Sequence, residues 1–375
     1  METQYTIAVD AMGGDNAPDV VLEGVDQALL KNLELSVLLV GPKDVVEPFA
    51  QTHERCEAVI ASEVIEMGEH PANAVRKKKD SSISVACRLI KEGRAQGFFS
   101  AGSTGACLAA ATLIIGRIKG ISRPALCTIV PSPVKPCLMC DVGANADCKP
   151  EYLVQFGQMA SIYAKQIMGI ENPRVALLNI GEEETKGSAF AQETHALMKQ
   201  KLPNFAGNAE GRDILAANFD VFVTDGFTGN VCLKTIEGTA KELFGALKGV
   251  FGASFKTKMG YLAVKDGLKD LKNSISADTY GGAPLLGVKG ACIVGHGSSN
   301  STAICNGILS TFKLAKQEVD KLIAQELSVV ENVAQEHSAQ QSVAQEPSAK
   351  QSVAQESAAQ QPAGKEHSSQ EHLAQ

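Results

Sequence analysis

The chain has 375 residues, 44% of them hydrophobic, with no Trp and only 5% aromatics, which suits one large or two smaller α/β domains around an aliphatic core. The formal net charge is −7, but seven Glu against two Lys from Gln325 onward carry most of it. The rest is near neutral and lacks the basic field of a nucleic-acid-binding protein. Met1–Tyr5 carries neither a basic n-region nor a long apolar core, and no stretch reaches about 18 consecutive apolar residues, so no signal peptide and no membrane-spanning helix is expected.

Tyr5–Asp10 reads as a buried strand ending in a glycine-rich turn, Asp10–Pro18 (DAMGGDNAP). Ala17–Lys31 reads as a helix, with Pro18 near its start where a missing N–H is tolerated. Leu35–Val40 is a strand, Lys43–Gln51 a short helix and Ala58–Ala61 a strand. Arg76, Lys77, Lys78 and Lys79 form the basic run of the folded part; a solvated face is the plain reading, and a docking patch for an acidic protein or a phosphate-bearing ligand is the alternative. Ser82–Gly93 has helical spacing at Ile83, Ala86, Cys87 and Ile90. Gly97–Ser100 is a strand that ends in the turn Ser100–Gly105 (SAGSTG). Thr104–Ile118 follows, a helix apolar enough to be buried on most sides. Ala125–Val130 and Cys137–Val142 are strands joined across Pro131-Ser132-Pro133, and the second ends in Asp141–Asp147 (DVGANAD).

Cys148–Met168 reads as a long helix and Arg174–Ile180 as a strand ending in Asn179–Gly187 (NIGEEETKG), followed by a helix over Ser188–Leu202. Phe219–Thr224 is a strand, its turn is Thr224–Asn230 (TDGFTGN), and helices run to about Lys272. Ala291–Gly295 is the last strand, Gly295–Asn300 (GHGSSN) its turn and Asn300–Glu326 the last helix. Strands alternating with helices of this length predict βαβ units and a mostly parallel sheet. Ligands of such sheets bind outside the carboxyl ends of the strands, so six polar, glycine-rich ends point to one large cleft built for an anion. Residues 1–328 are read as the α/β domain. Residues 329–375 are read as a low-complexity tail, disordered or transiently helical, in which Asn332–Glu336, Ser342–Glu346 and Ser352–Glu356 recur with a period of ten.

Ten cysteines lie mostly in apolar runs, as reduced buried thiols do. A zinc reading of Cys137, Cys140 and Cys148 is set aside, because residues three apart on a strand face opposite sides and no fourth ligand is near. No turn matches the dinucleotide or Walker fingerprint. Gly13 and Gly14, between Asp10 and Asn16, and the turn that carries Ser103 and Thr104 let a backbone approach a phosphate. Ser103 lacks a G-x-S-x-G setting and is read as a binding hydroxyl rather than a nucleophile. Asn145, Asp147 and Lys149 open a helix with Pro150 in its first turn, where capping explains Asp147. Glu182, Glu183 and Glu184 are either metal ligands or helix-dipole partners. Lys186 beside them is suited to neutralise a phosphate or an oxyanion. Asp225, Asn230 and Lys234 line another strand-to-helix join. His296 stands between glycines, with Ser298 and Asn300 as donors and caps. Over residues 239–272, apolar Leu247, Phe251, Phe255, Met259 and Leu262 alternate with lysines, as in a membrane-surface helix or a dimer interface.

Taken together, DAMGGD, SAGSTGA, DVGAN, NIGEEE with Lys186-Gly187, TDGFTGN, GGAPLLG at Gly281–Gly287 and HGSSN resemble the signature stretches of the bacterial PlsX family of acyl-ACP:phosphate acyltransferases. The resemblance runs over roughly residues 5–325, and the repeat tail departs from it. It implies a three-layer α/β/α fold like that of isocitrate and isopropylmalate dehydrogenases, in a homodimer related to phosphotransacetylases. It implies transfer of a long-chain acyl group from acyl carrier protein to inorganic phosphate, giving acyl phosphate for phospholipid synthesis. It further implies a cytoplasmic protein held peripherally on the inner face of the membrane through the 239–272 segment, with the acyl-phosphate:glycerol-3-phosphate acyltransferase a candidate partner. On this reading phosphate attacks the thioester directly, with no acyl-enzyme and no metal, nucleotide or other cofactor. Lys186 and His296 stabilise charge, while Ser103, Thr104, Asn145 and Asn230 position the two substrates. An acyl-CoA-using phosphotransacylase, a non-catalytic membrane scaffold for carrier protein and an NAD-dependent decarboxylating dehydrogenase are the rival readings.

Overall fold

The computed structural model describes residues 4–132, 134–274 and 279–328. Met1–Gln325 forms one unit and Glu326–Gln375 a second, and the repeat tail expected over 329–375 lies outside the described residues. The strands are β1 (Tyr5–Asp10), β2 (Leu35–Gly41), β3 (Cys56–Ile60), β4 (Gly97–Ser100), β5 (Ala125–Val130), β6 (Cys137–Cys140), β7 (Val175–Leu178), β8 (Phe205–Ala209), β9 (Val221–Val223), β10 (Ala283–Leu286) and β11 (Ala291–Val294). The helices are α1 (Asp19–Lys31), α2 (Lys43–Ala50), α3 (Pro71–Lys77), α4 (Ser82–Lys91), α5 (Thr104–Ala110), α6 (Pro150–Gln166), α7 (Ala189–Lys201), α8 (Gly211–Ala216), α9 (Gly226–Gly252), α10 (Phe255–Ser274) and α11 (Ser301–Lys316).

All eleven strands join one sheet in the order β3-β2-β1-β4-β11-β10-β5-β6-β9-β7-β8. The neighbours from β3 to β11 pair in parallel, as do those from β6 to β8. The pairs β11/β10, β10/β5 and β5/β6 are antiparallel. Three reversals in a row make the two parallel halves run in opposite directions. The outcome is the mostly parallel sheet expected, with an antiparallel seam at its centre.

The strands are continuous apolar runs because both faces are covered. Ala8, Phe98, Met139 and Phe222 point to one face and share a cluster with residues of α4, α5, α8 and α9. Ile7, Phe99 and Val175 alternate to the other face, where α11 lies close over Phe99 at Gly307 and α6 lies over Val175 at Gly157. Helices on both faces of the sheet complete the three layers. The fully buried large side chains, Phe98, Phe99, Phe156 and Phe222 with aliphatic neighbours, make the Trp-free core that the composition predicts.

Several elements differ from the sequence reading. The apolar helix expected over 104–118 is α5 followed by a π-helical turn, Ala111–Ile115, that stops at Gly116 with φ +94°. The helix expected from Cys148 begins at Pro150. The last helix, expected over Asn300–Glu326, is α11 to Lys316 and then a further helical stretch over 319–328, separated by a break at which Glu318 has φ +48°. Short α3, β8, α8 and β10 were not anticipated; they lie within stretches too short or too small-sided to show a period.

Candidate active site

Parallel strands need crossovers, usually helices that cover the sheet, whereas antiparallel neighbours connect through short turns. At the seam of β10, β5 and β6, helices α5 and α9 approach one sheet face from either side, with a strip of β5 between them. A cleft of about 590 Å³ occupies that strip. Leu126 and Thr128, two apart on β5, form its floor, since alternate strand residues share a face. Thr104 and Leu108, four apart on α5, form one wall. Asn230, Leu233, Lys234 and Glu237 on α9, at helical spacing, form the opposite wall. Asp15, Met67, Gly143, Gly282 and the turn from Gly295 to Ser299 close its ends.

Two buried carboxylates organise the turns around it. Asp10, at the end of β1, is 2% exposed. Its Oδ2 accepts from Ser100 Oγ at 2.7 Å and its Oδ1 from Met12 N at 3.0 Å, and Ser100 Oγ in turn accepts from Gly102 N at 3.0 Å. Burial pushes the Asp10 carboxyl above the ordinary carboxylate range, opposed by hydrogen bonds from Ser82, Ser100 and Met12. Asp141, after β6, is fully buried. Its Oδ1 accepts from Leu126 N, Gly143 N and Ala144 N at 3.0, 3.2 and 3.0 Å. Its Oδ2 accepts from Asn145 N at 2.8 Å and from Asn145 Nδ2 at 2.9 Å. Burial raises this carboxyl too, against the pull of those N–H groups. Each site admits only glycine close by: a Cβ on Gly13 would stand 2.8 Å from Asp10 Oδ2, and one on Gly229 would stand 1.9 Å from Asp141 O.

His296 extends from the turn after β11. Its Nδ1 lies 2.8 Å from Ser298 Oγ and receives the Ser298 backbone N–H at 3.3 Å. A backbone N–H can only donate, so Nδ1 is an acceptor and the neutral ring carries its proton on Nε2. This ring is exposed and lines the cleft. The turn is braced from the first half of the sheet, because Asp15 N donates to Gly297 O at 2.7 Å beside Gly14, which adopts φ +110°.

Of the residues singled out from the sequence, Thr104, Asn230, Lys234, His296 and Ser298 line the cleft. Asn230 Nδ2 donates to Val142 O at 3.0 Å, and Lys234 pairs with Glu237 at 2.7 Å. Ser103, Asp225 and Asn300 cap α5, α9 and α11 by accepting from Ala106 N, Thr228 N and Ala303 N. Asn145 is a strut, donating to Pro124 O at 2.7 Å as well as to Asp141. Asp147 does not cap α6, because the N-cap position belongs to Lys149, which makes no side-chain cap. Asp147, Lys149 and Asn16 are exposed.

Lys186 does not line the cleft. It is exposed on the turn after β7, one strand further out than β9. Of the glutamates on that turn, Glu184 pairs with Lys199 at 2.5 Å, and its carboxyl lies below the ordinary range because Lys199 donates to it. Asp15, Leu108, Leu126, Thr128, Leu233, Glu237 and Tyr280 line the cleft without having been singled out. The alternation on β5 and the 230-233-234-237 spacing on α9 were the available signals, yet neither says which helix faces which strand. The ten cysteines are free thiols, and burial pushes Cys148, beside Asn145 O, up to about 11.

Helices α9 and α10 carry Leu243, Val250, Phe255, Met259 and Leu262, each more than half exposed. Leu247 and Phe251 are partly buried, with Phe251 against Tyr261 at 5.5 Å between ring centroids. No helix among the described residues is long and apolar enough to cross a membrane.

A sequence model of the fatty acid synthesis protein family matches residues 5–322. A phosphate acyltransferase of Desulfitobacterium hafniense (strain Y51) is 50% identical over 325 residues, covering 86% of this chain and 96% of the relative. A phosphate acyltransferase of Clostridioides difficile (strain 630) is 44% identical over 327 residues, with the same coverage of 86% and 96%. Among solved structures, a phosphotransacetylase from Streptococcus pyogenes is similar in fold at TM-score 0.54 and 16% identity, over 84% of this chain and 95% of that one. A branched-chain phosphotransacylase from Enterococcus faecalis V583 is similar at TM-score 0.55 and 14% identity, over 83% and 99%.

Proposed function

This chain belongs to the fatty acid synthesis protein family, and from that premise we propose that it is a phosphate acyltransferase that moves a long-chain acyl group from acyl carrier protein to inorganic phosphate. The observation that carries the reading is the composition of one cleft. Thr104, Asn230, Lys234 and the Nε2–H of His296 supply donors, and Leu108, Leu126 and Leu233 supply apolar surface in the same space. A thioester with a fatty tail and an anion need those two surfaces side by side.

In the proposed step an oxygen of dianionic phosphate attacks the thioester carbonyl carbon. The C–O bond forms as the C–S bond breaks, and the sulfur leaves with the proton that phosphate gives up, so the products are acyl phosphate and free thiol. His296 Nε2–H faces the carbonyl oxygen as charge develops on it, an arrangement that stabilises the transition state more than the ground state. Thr104, Asn230 and Lys234 hold the phosphate. Lys186, on the exposed turn after β7 and outside the cleft lining, is in the proposed step a source of positive charge for the incoming phosphate. Asp10, Gly13, Gly14, Asn145 and Asp225 set the shapes of the turns. The apolar residues left exposed on α9 and α10 support peripheral contact with the inner face of the membrane or pairing with a second copy, and so a site for releasing an acyl product near lipid.

The test is incubation with palmitoyl-acyl carrier protein, with and without phosphate, while free thiol is measured. Phosphate-dependent thiol release is expected, and release indifferent to phosphate would end the reading. A parallel reaction with palmitoyl-CoA separates the two donors. His296→Ala is expected to lower kcat by roughly 100-fold or more, the scale of losing one preorganised donor, with unchanged far-UV circular dichroism. Lys186→Ala, assayed beside it, should raise the KM for phosphate. Near-normal kinetics would remove either residue from the mechanism.

A further inference from the structure

We propose that the groove between α5 and α9 is the acyl-chain subsite, and that Leu108 and Leu233 set how long a chain it accepts. The proposal rests on the function just given. Leu108 is one turn along α5 from Thr104, and Leu233 is three residues along α9 from Asn230, so each wall passes from a donor to a leucine within about one helical turn. Both leucines are partly buried and pack against the same cluster as the floor residue Leu126, which is 7% exposed. Val142, 2% exposed, continues the surface after β6.

The groove runs over β5 between two helices. Helix α5, on the connection from β4 to β5, and helix α9 both pack against the cluster that holds Leu126, and Leu126 and Thr128 line the cleft between them. Thr128, two residues after Leu126 on the same face, is the one polar side chain of that floor. A chain whose carbonyl sits by His296 has this floor to lie along. Each methylene it buries should tighten binding about fourfold.

The chain contains no Trp, so Leu108→Trp places a bulky side chain in one wall and a single indole reporter in the same position. Two measurements follow. The first is the ratio of kcat/KM for palmitoyl to that for butyryl thioesters of one carrier. Excluding two methylenes should lower this ratio about tenfold or more in Leu108→Trp relative to the parent, and Leu233→Trp should move it the same way. The second is indole emission on addition of dodecylphosphonate, which should shift to the blue, while methylphosphonate leaves it in place.

A ratio unchanged within about twofold in both variants, or an indole indifferent to the dodecyl chain, overturns the subsite. If Leu108→Trp fails to fold by circular dichroism, Leu233→Trp carries both measurements. If the parent releases no thiol in response to phosphate with any donor, the proposed function fails. The emission shift still decides whether the groove takes an alkyl chain.

Discussion

Asp10 and Asp141 do the same job in opposite halves of the sheet and are built in opposite ways. Each is a buried carboxylate at a strand end, each ties down a glycine-rich turn, and burial raises both carboxyls. The difference lies in their partners. Asp10 is held by the hydroxyls of Ser100 and Ser82 and one N–H, and a hydroxyl can turn from donor to acceptor. Asp141 is held by five N–H donors, none of which can reverse. The first site can therefore accommodate a protonated or amide side chain, and the second is committed to an acceptor on both oxygens. The committed site is the one at the antiparallel seam, where Leu126 N arrives from β5 and has no helix-borne alternative.

The sharpest way to break this comparison is one substitution made twice. Asp141→Asn would aim an NH2 group at Asn145 N and Nδ2, or at the three donors facing the other oxygen. Leaving such donors buried and unpaired costs about 1–3 kcal/mol each, so a loss of roughly 3–5 kcal/mol is expected, measured by urea unfolding followed by circular dichroism. Asp10→Asn should cost about 1 kcal/mol or less at neutral pH, because Ser100 can accept from the new amide. Equal losses would show that the hydroxyls of Ser100 and Ser82 do not adapt.

The glycines give the next contrast. A Cβ on Gly229 would stand 1.9 Å from the backbone carbonyl of Asp141, and moving it away means moving α9. On Gly13 the nearest atom would be Gly102 N at 2.7 Å. Gly229→Ala should lose about 3 kcal/mol, despite the better helix propensity of alanine, and Gly13→Ala about 1–2 kcal/mol. The same urea titrations rank them, and the reverse order would mean that the second half is the more forgiving one.

The residues that make these sites differed in how legible they were. Asp10, Gly13 and the turn at Ser100–Gly105 stand out because a polar, small-sided break after an apolar run is a local signal. The importance of Asp141 was not local. It depends on Cys127 pairing with Cys140 across an antiparallel hairpin, which brings the N–H of Leu126 to a carboxylate fifteen positions later. Likewise, the composition of the turn at 179–187 announces a strand end but not which one. β7 is the last strand but one in the sheet, so Lys186 stands away from the cleft lining that His296 and Asn230 share. Strand β10 was hidden because Ala283–Leu286 is four residues and shows no period. From its position at the seam, Ala283 reaches the lining of the cleft.

The smallest expected effect is also the most specific to the first half. Because burial raises the Asp10 carboxyl above its value in the unfolded chain, the folded state holds that proton more tightly. The stability tied to it is fully present at acid pH and falls as pH rises through the raised value. Asp10→Asn has no proton to lose there, so parent minus variant stability should decline from acid toward neutral pH and then level. Thermal unfolding in a series of buffers would follow it, with Asp141 contributing the same slope to both proteins and cancelling in the difference. A difference that stays flat across that range would mean that the Ser100 and Ser82 hydroxyls, with Met12 N, already keep Asp10 ionised. The two halves would then differ in the kind of donor around the carboxylate and not in its charge.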